Sequence, residues 1–219
     1  MTLKPAFPLG TAFLPGDAVV LRVFESRYLE MMQVVLEGDR CFVSALIAGG
    51  SEVGGGDVRF NEGVLVEIDR IEEADIGLML YGRATEAVNI AQWNDEAPYP
   101  QAQVENQHSL HSEVNTFTND SDLLSHLANN LKDFFDFLES FEIPVPVAPE
   151  FVISLLPSQN QDLRGEDLWA LFWSMARLLP STPMSRCELL VDKPLATRIR
   201  RALEEIEHLR DIVRFRYGN

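Results

Sequence analysis

Phe7-Pro8-Leu9-Gly10-Thr11-Ala12-Phe13-Leu14-Pro15-Gly16-Asp17, running on to Val23-Phe24-Glu25-Ser26-Arg27-Tyr28-Leu29-Glu30-Met31-Met32, decides how this chain is read. It describes a strand, a Pro-Gly turn, a second strand and then an amphipathic helix. The helix is predicted from about Ser26 to Leu36. Tyr28, Met31, Met32, Val35 and Leu36 fall on one side of it, at spacings of three and four.

The residues that follow keep a β character. Arg40 to Ile47 is an apolar run of strand length ending at Gly49-Gly50, and Val58-Arg59-Phe60 precedes a turn at Asn61-Glu62-Gly63. Val64 to Ile68 alternates as a half-buried strand does. Gly77 to Ala84, Ala87 to Trp93 and Gln101 to Glu105 complete the series. Short strands about ten residues apart, punctuated by glycine, predict a small closed barrel rather than a parallel sheet.

From residue 108 to residue 120 the chain is polar and aperiodic, and a linker or insertion is expected there. The period then changes. Leu124, Leu127, Leu131, Phe134 and Leu138 predict a helix from about Ser121 to Ser140. Ile143 to Pro149 holds three prolines and must be extended. A short helical turn over Phe151–Leu156 and a helix over Glu166–Leu179 follow. Thr182-Pro183 is a start signal, and Ser185-Arg186-Cys187-Glu188 fits a capping box. The last helix is expected from about Pro194 to Arg216, with Asp192 as its cap. The predicted organisation is a β-rich domain over 1–107, a linker over 108–120 and a helical subdomain over 121–219. The fold class is α+β.

Composition narrows the function. Of the 219 residues 46% are hydrophobic and 24% charged, the balance of a soluble globular domain. No apolar run approaches the roughly 18 residues needed to cross a bilayer. Met1-Thr2-Leu3-Lys4-Pro5 has no basic region followed by an apolar stretch, so no signal peptide is expected. Two cysteines, Cys41 and Cys187, in apolar settings suit buried thiols in a reducing compartment. A cytoplasmic location is the expectation.

The net charge is −16, of which residues 1–119 carry −11 and residues 120–219 carry −5. Nucleic-acid binding draws its affinity from clustered Lys and Arg, and this chain would repel a polyanion. An anionic membrane surface is disfavoured for the same reason. Only Asp192 to Asn219 runs positive, with charges interspersed as on a solvated helix face.

The opening stretch closely resembles the start of the N-terminal substrate-binding domain of Lon proteases, in the variety found in small stand-alone proteins. The resemblance continues in order. Glu52-Val53-Gly54 follows the first long strand, Gly63 opens the next, and Gly82-Arg83 closes the Gly77 strand. Pro98-Tyr99-Pro100-Gln101-Ala102 leads into the last strand. Ser185 to Leu190 and Ala196 to Ile206 look like the family's Glu-Leu-Leu turn and long Arg- and Leu-rich helix. Ser26 stands where the family usually has proline, and Val64 where threonine usually follows the glycine. The resemblance implies a PUA-like β-barrel followed by a helical bundle, acting on exposed hydrophobic stretches of client proteins.

The engines of a full Lon protease are not seen in these 219 residues. There is no GxxxxGK[ST] to cradle a triphosphate and no GxSxG nucleophile elbow. Gly54-Gly55-Gly56 is followed by Asp57 and a strand, as in a hairpin loop. His108 and His111, with Glu105 and Glu113, supply metal-ligand types without a rigid frame. The carboxylate pairs, such as Glu72-Glu73 and Glu204-Glu205, read as solvated. No catalytic residue, metal or cofactor is expected.

The aromatics are more suggestive. Trp169 and Trp173 are four apart on a helix, offset from its Leu168, Phe172 and Met175 stripe. Either that helix is buried on most sides, or part of it forms a groove for an unfolded peptide. Trp93 and Tyr99 beside the last strand pose the same choice. These four residues are the candidate peptide-binding surface, and protein clients or unfolded segments are the expected partners. The alternatives are a hydrolase without a familiar motif and a PUA-like RNA-binding protein.

Overall fold

The computed structural model describes residues 2–50, 56–106, 117–157 and 165–218. Its elements are β1 (Thr2–Leu9), β2 (Ala18–Val23), α1 (Ser26–Glu37), β3 (Cys41–Gly49), β4 (Val58–Glu73), β5 (Leu78–Asn94) and β6 (Gln101–Asn106). There follow α2 (Phe117–Glu139), α3 (Pro149–Ser154), α4 (Glu166–Ala176), α5 (Pro183–Leu190) and α6 (Leu195–Tyr217). The class is α+β, as expected. The chain folds as two compact units. One comprises Met1–Ser109 with Thr182–Asp192, the other Leu110–Ser181 with Lys193–Asn219.

The first unit is a six-stranded mixed sheet in the order β2-β5-β4-β3-β1-β6, with β6 also paired to β5. β1 is shared by halves. Thr2–Pro5 pairs antiparallel with β6, and Ala6–Leu9 pairs parallel with β3. A parallel pair needs a long crossover, and β2 and α1 supply it. The closed PUA-like barrel expected from the strand spacing is not formed, although the sheet curls. Pairings run round through β5, β4, β3, β1 and β6, but one pair is parallel and β2 lies outside that circuit, bonded to β5 alone.

Two long strands replace four predicted short ones. β4 runs straight through Asn61-Glu62-Gly63, which reads as a turn in isolation. Gly63 serves a different purpose there: a Cβ would lie 2.6 Å from the Ser44 carbonyl oxygen of β3. β5 likewise continues from Leu78 to Asn94, its first half beside β2 and its second beside β6. Register shifts at Val64/Val66, Ile68/Arg70 and Ile90/Gln92 provide the bends that let one strand serve two neighbours.

Inward residues of these strands, among them Ala6, Val43, Val88, Ile90 and Val104, form an apolar core. α1 packs on β1 and β3 with the face its periodicity predicts: Tyr28, Met31, Met32 and Val35 are buried, and Leu36 is half-buried. Tyr28 stacks on Phe7 with ring centroids 4.0 Å apart, and burial pushes its phenol up to about 12. Each large side chain buried this way contributes roughly 1.5–3 kcal/mol.

α5 also belongs to this unit, which interrupts the expected helical block of 121–219. Its Cys187 packs with Ala12 and Leu46, against Phe60. Arg186 anchors it: Nε donates to the Ala12 carbonyl at 2.8 Å, and Nη2 bonds the Asp17 carboxylate. The N-cap is Thr182, whose Oγ1 accepts from Ser185 N at 3.1 Å, with Pro183 in the first turn. Ser185 therefore sits inside the helix instead of opening a capping box.

The second unit is helical. α2 buries Leu124, Leu127, Leu131, Phe134 and Leu138, the residues its periodicity singles out, and packs on α3, α4 and α6. α4 stops at Ala176, although Leu179 beyond it is still buried. α6 is capped by Pro194 and not by Asp192. The Asp192 carboxylate instead accepts from Asn89 Nδ2 at 3.3 Å, within the first unit.

Candidate functional site

The four aromatic candidates fall on separate units. Trp93, on β5, is half-buried. Its indole N–H donates to Asn61 Oδ1 at 3.2 Å, and the Arg59 guanidinium covers its ring at 4.7 Å. Arg59 is itself held by Asp57 at 2.5 Å and Asp95 at 2.8 Å. Burial pushes the Asp57 carboxyl up, but the hydrogen bond and charge of Arg59 outweigh it and hold it below its ordinary value. Tyr99 is buried, 7% exposed.

Trp169 and Trp173 lie side by side on α4, ring centroids 6.1 Å apart, with Phe172 between them 4.8 Å from Trp173. Arg198 of α6 covers both rings, at 4.9 and 5.4 Å, and donates to the Lys193 carbonyl at 3.1 Å. This arginine is buried, which its placement over two π-faces makes tolerable. Trp169 stays half-buried, whereas Trp173 is buried.

The apolar surface the first unit leaves open lies elsewhere, around the β4–β5 turn Ala74-Asp75-Ile76-Gly77. Two hollows flank this turn and share Glu73 and Ala74 as a common wall. The one beside α1, about 400 Å³, is lined by Leu29, Met32, Leu36 and Leu78, with Glu73 as its single charged residue. The other, about 580 Å³, opens between Arg22 of β2 and Asp75, over Met79. Ile76 at the tip is 65% exposed and Phe24, where β2 runs into α1, is 50% exposed.

The turn is fixed where it stands. Ala74 N donates to the Gly77 carbonyl at 3.2 Å, and Arg22 Nε donates to the Ile76 carbonyl at 3.3 Å. Gly77 has φ +79° and abuts the Val23 carbonyl so closely that only glycine fits. One sequence signal pointed here: an isoleucine set in the acidic run Glu72-Glu73-Ala74-Asp75-Ile76-Gly77, where a turn would normally be polar throughout.

The chemistry of the remaining groups is plain. Burial pushes the Cys187 thiol up to about 12, and burial followed by the Asp39 charge raises that of Cys41. Neither is a ready nucleophile at neutral pH. Among the described residues no group of three or more His, Cys, Asp or Glu side chains is placed to hold a metal ion. His108, His111 and Glu113 lie outside the described residues, as do Gly54 and Gly55. No helix among the described residues is long and apolar enough to cross a membrane.

The first unit is thus a curled mixed sheet with α1 and α5 packed on it, an apolar hollow beside α1 and a charged one beside β2. The family model for the ATP-dependent protease La (LON) substrate-binding domain matches residues 4–208, and the chain belongs to that family. Its fold is similar to two solved structures. One is a Lon N-terminal domain protein from Xanthomonas campestris: 23% identity, TM-score 0.60, covering 93% of this chain and 98% of that one. The other is the N-terminal domain of the Mycobacterium avium complex Lon protease: 15% identity, TM-score 0.62, covering 94% and 98%. Comparison with curated proteins gave no significant match.

Proposed function

We propose that this chain is a non-catalytic module that holds exposed segments of client proteins, as an adaptor or client-binding component in proteolysis or quality control. The single observation that carries the reading is the apolar hollow on the α1 side of the β4–β5 turn, together with Ile76 at the tip of that turn and Phe24 beside Gly77, both exposed. Solvent-exposed apolar side chains gathered at a rigid turn are what a surface for unfolded polypeptide requires. Family membership supports the same class of ligand. A client would meet the ring faces of Trp93 and Trp169 only if Arg59 or Arg198 moved aside, so these tryptophans rank second to the turn as contact points.

The reading needs no cofactor. A hydrolase is opposed by the raised thiols, and an RNA-binding role by the charge of −16. The same charge, two free cysteines and the lack of a spanning helix among the described residues suit the cytoplasm. The test is retention of a permanently unfolded protein, such as reduced and carboxymethylated lactalbumin, on the immobilised chain. Retention that falls at least fivefold with Phe24→Ser/Ile76→Ser supports the reading. No retention of any unfolded chain, or turnover of a substrate by homogeneous protein, overturns it.

A further inference from the structure

Through Arg22 the larger hollow adjoins an edge of the sheet that is open among the described residues. Among the described residues β2 pairs with β5 alone, whereas β6 closes on both β1 and β5. The direction of the free backbone groups follows from the ladder. Ala84 N donates to the Asp17 carbonyl at 2.9 Å and the Ala84 carbonyl accepts from Gly16 N at 2.7 Å, so the ladder with β5 starts at residues 16 and 17. In an antiparallel pair the bonded positions alternate. Val19, Leu21 and Val23 therefore face β5, opposite Gly82, Leu80 and Leu78. The N–H and C=O groups of Ala18, Val20 and Arg22 are directed away from it.

Edge strands are ordinarily blunted by proline, lysine, a covering element or extreme shortness. β2 has six residues, no proline and no lysine, and Ala18, Val20 and Arg22 are exposed, Val20 by 54%. We infer that β2 accepts an extended client segment as an added antiparallel strand, and that the segment carries a lysine or arginine which meets Glu73 and Asp75 at the β4–β5 turn. Main-chain bonds to Ala18, Val20 and Arg22 supply affinity without regard to sequence, and the turn supplies preference.

The charge preference rests on the surroundings of that turn. Glu73 and Asp75 are exposed and carry no ion pair among the described residues; Arg22, the one cation of their hollow, is held with its Nε on the Ile76 carbonyl. The hollow at the β2 edge sets two acids, Glu73 and Asp75, against the single Arg22, and the α1-side hollow has no basic lining residue. A strand bearing a cation gains a partner there, and an acidic one meets repulsion. A second copy of this chain is the other conceivable strand donor, but two bodies of charge −16 repel on approach.

This inference rests on the client-binding reading, and the experiment separates the two. Fluorescein-labelled ten-residue peptides of alternating Val and Thr, carrying either two Lys or two Glu, are titrated with the full chain in low salt. Val20→Pro removes an outward N–H without touching the β5 ladder, and Val20→Thr is its control. Expected is binding of the Lys peptide at least tenfold tighter than the Glu peptide. A tenfold loss is expected with Val20→Pro, and none with Val20→Thr. N-methylation at alternate peptide residues, which leaves the protein untouched, should abolish binding in one register.

Equal binding by Val20→Pro and by the N-methylated peptide overturns the strand addition. If carboxymethylated lactalbumin is still retained in that case, client binding survives at another surface. A dimer by sedimentation that Val20→Pro dissociates would assign the edge to a second copy and overturn the proposal too.

Discussion

Gly77 and Val23 touch backbone to backbone: a side chain at Gly77 would occupy the space of the Val23 carbonyl oxygen. The contact ties the β4–β5 turn to the end of β2, so that the turn, the open edge and the start of α1 keep one geometry. Gly77→Ala combines that overlap with the strain of φ +79°, and should cost about 2–4 kcal/mol. Gly56, at φ +76°, has no atom within 4 Å of its would-be Cβ, and Gly56→Ala should cost about 1 kcal/mol. Urea unfolding of the two variants beside the parent checks the contrast.

Asp120, in the first turn of α2, is a buried carboxylate whose Oδ1 has no hydrogen-bond partner among the described residues. Burial raises its folded pKa, and the Arg200 charge only partly offsets this. A raised acid binds its proton more tightly in the folded state, so folding gains as pH falls through the folded pKa and loses above it. Asp120→Asn should therefore melt higher than the parent at pH 7. The gap should close as both are titrated toward pH 3, and calorimetry at three pH values decides it.

Asp57 titrates in the opposite sense. Its folded pKa lies below the unfolded value, so its contribution is complete above the unfolded pKa and is lost as pH falls through the folded one. Asp57→Asn should lower stability at pH 7 and flatten the acid limb of the stability curve below about pH 4. Arg59, left with Asp95 as its remaining ion-pair partner, should also cover Trp93 less firmly, visible as a shift in tryptophan emission.

Cys187 reports on the seating of α5. Buried against Ala12, Leu46 and Phe60, with its thiol pushed up to about 12, it should resist a thiol-reactive disulfide reagent at pH 8 until the chain unfolds. Arg186→Ala removes the bonds to Ala12 and Asp17, costs about 1.5–3 kcal/mol, and should make Cys187 react at least tenfold faster. Labelling rates read by mass spectrometry test both statements.

Trp173 is predicted to matter for folding. It is 9% exposed, packs on Phe172 and lies under Arg198. Trp173→Ala should cost about 3–5 kcal/mol, whereas Ile76→Ser at an exposed tip should change stability by no more than about 0.5 kcal/mol. Denaturant melts of both variants measure the difference.

Much of the architecture was legible in the residues. The α1 face was readable because three-and-four spacing with large apolar side chains has one geometric meaning. The Thr182-Pro183 start was readable because a cap is local chemistry. Asn61-Glu62-Gly63 misled for the converse reason: Gly63 answers to the Ser44 carbonyl, a neighbour distant in sequence. The same holds for α5, whose allegiance is set by Arg186 and Asp17, 169 positions apart. The aromatics drew notice at the site by size alone, yet Tyr99 and Trp173 are buried. The apolar hollow is made by modest residues, Leu29 and Leu36 of α1 with Ala74 and Leu78, that only the tertiary path brings together.

The return of Thr182–Asp192 to the sheet has a consequence for biosynthesis. As the polypeptide emerges from the ribosome, all six strands are out long before their α5 cover has been translated. Leu46 and Ala12 must wait in water, or under a chaperone, until about residue 192 clears the exit tunnel. A fragment cut after the last strand would stay permanently in that nascent condition, so deletion studies of this protein should keep the strap.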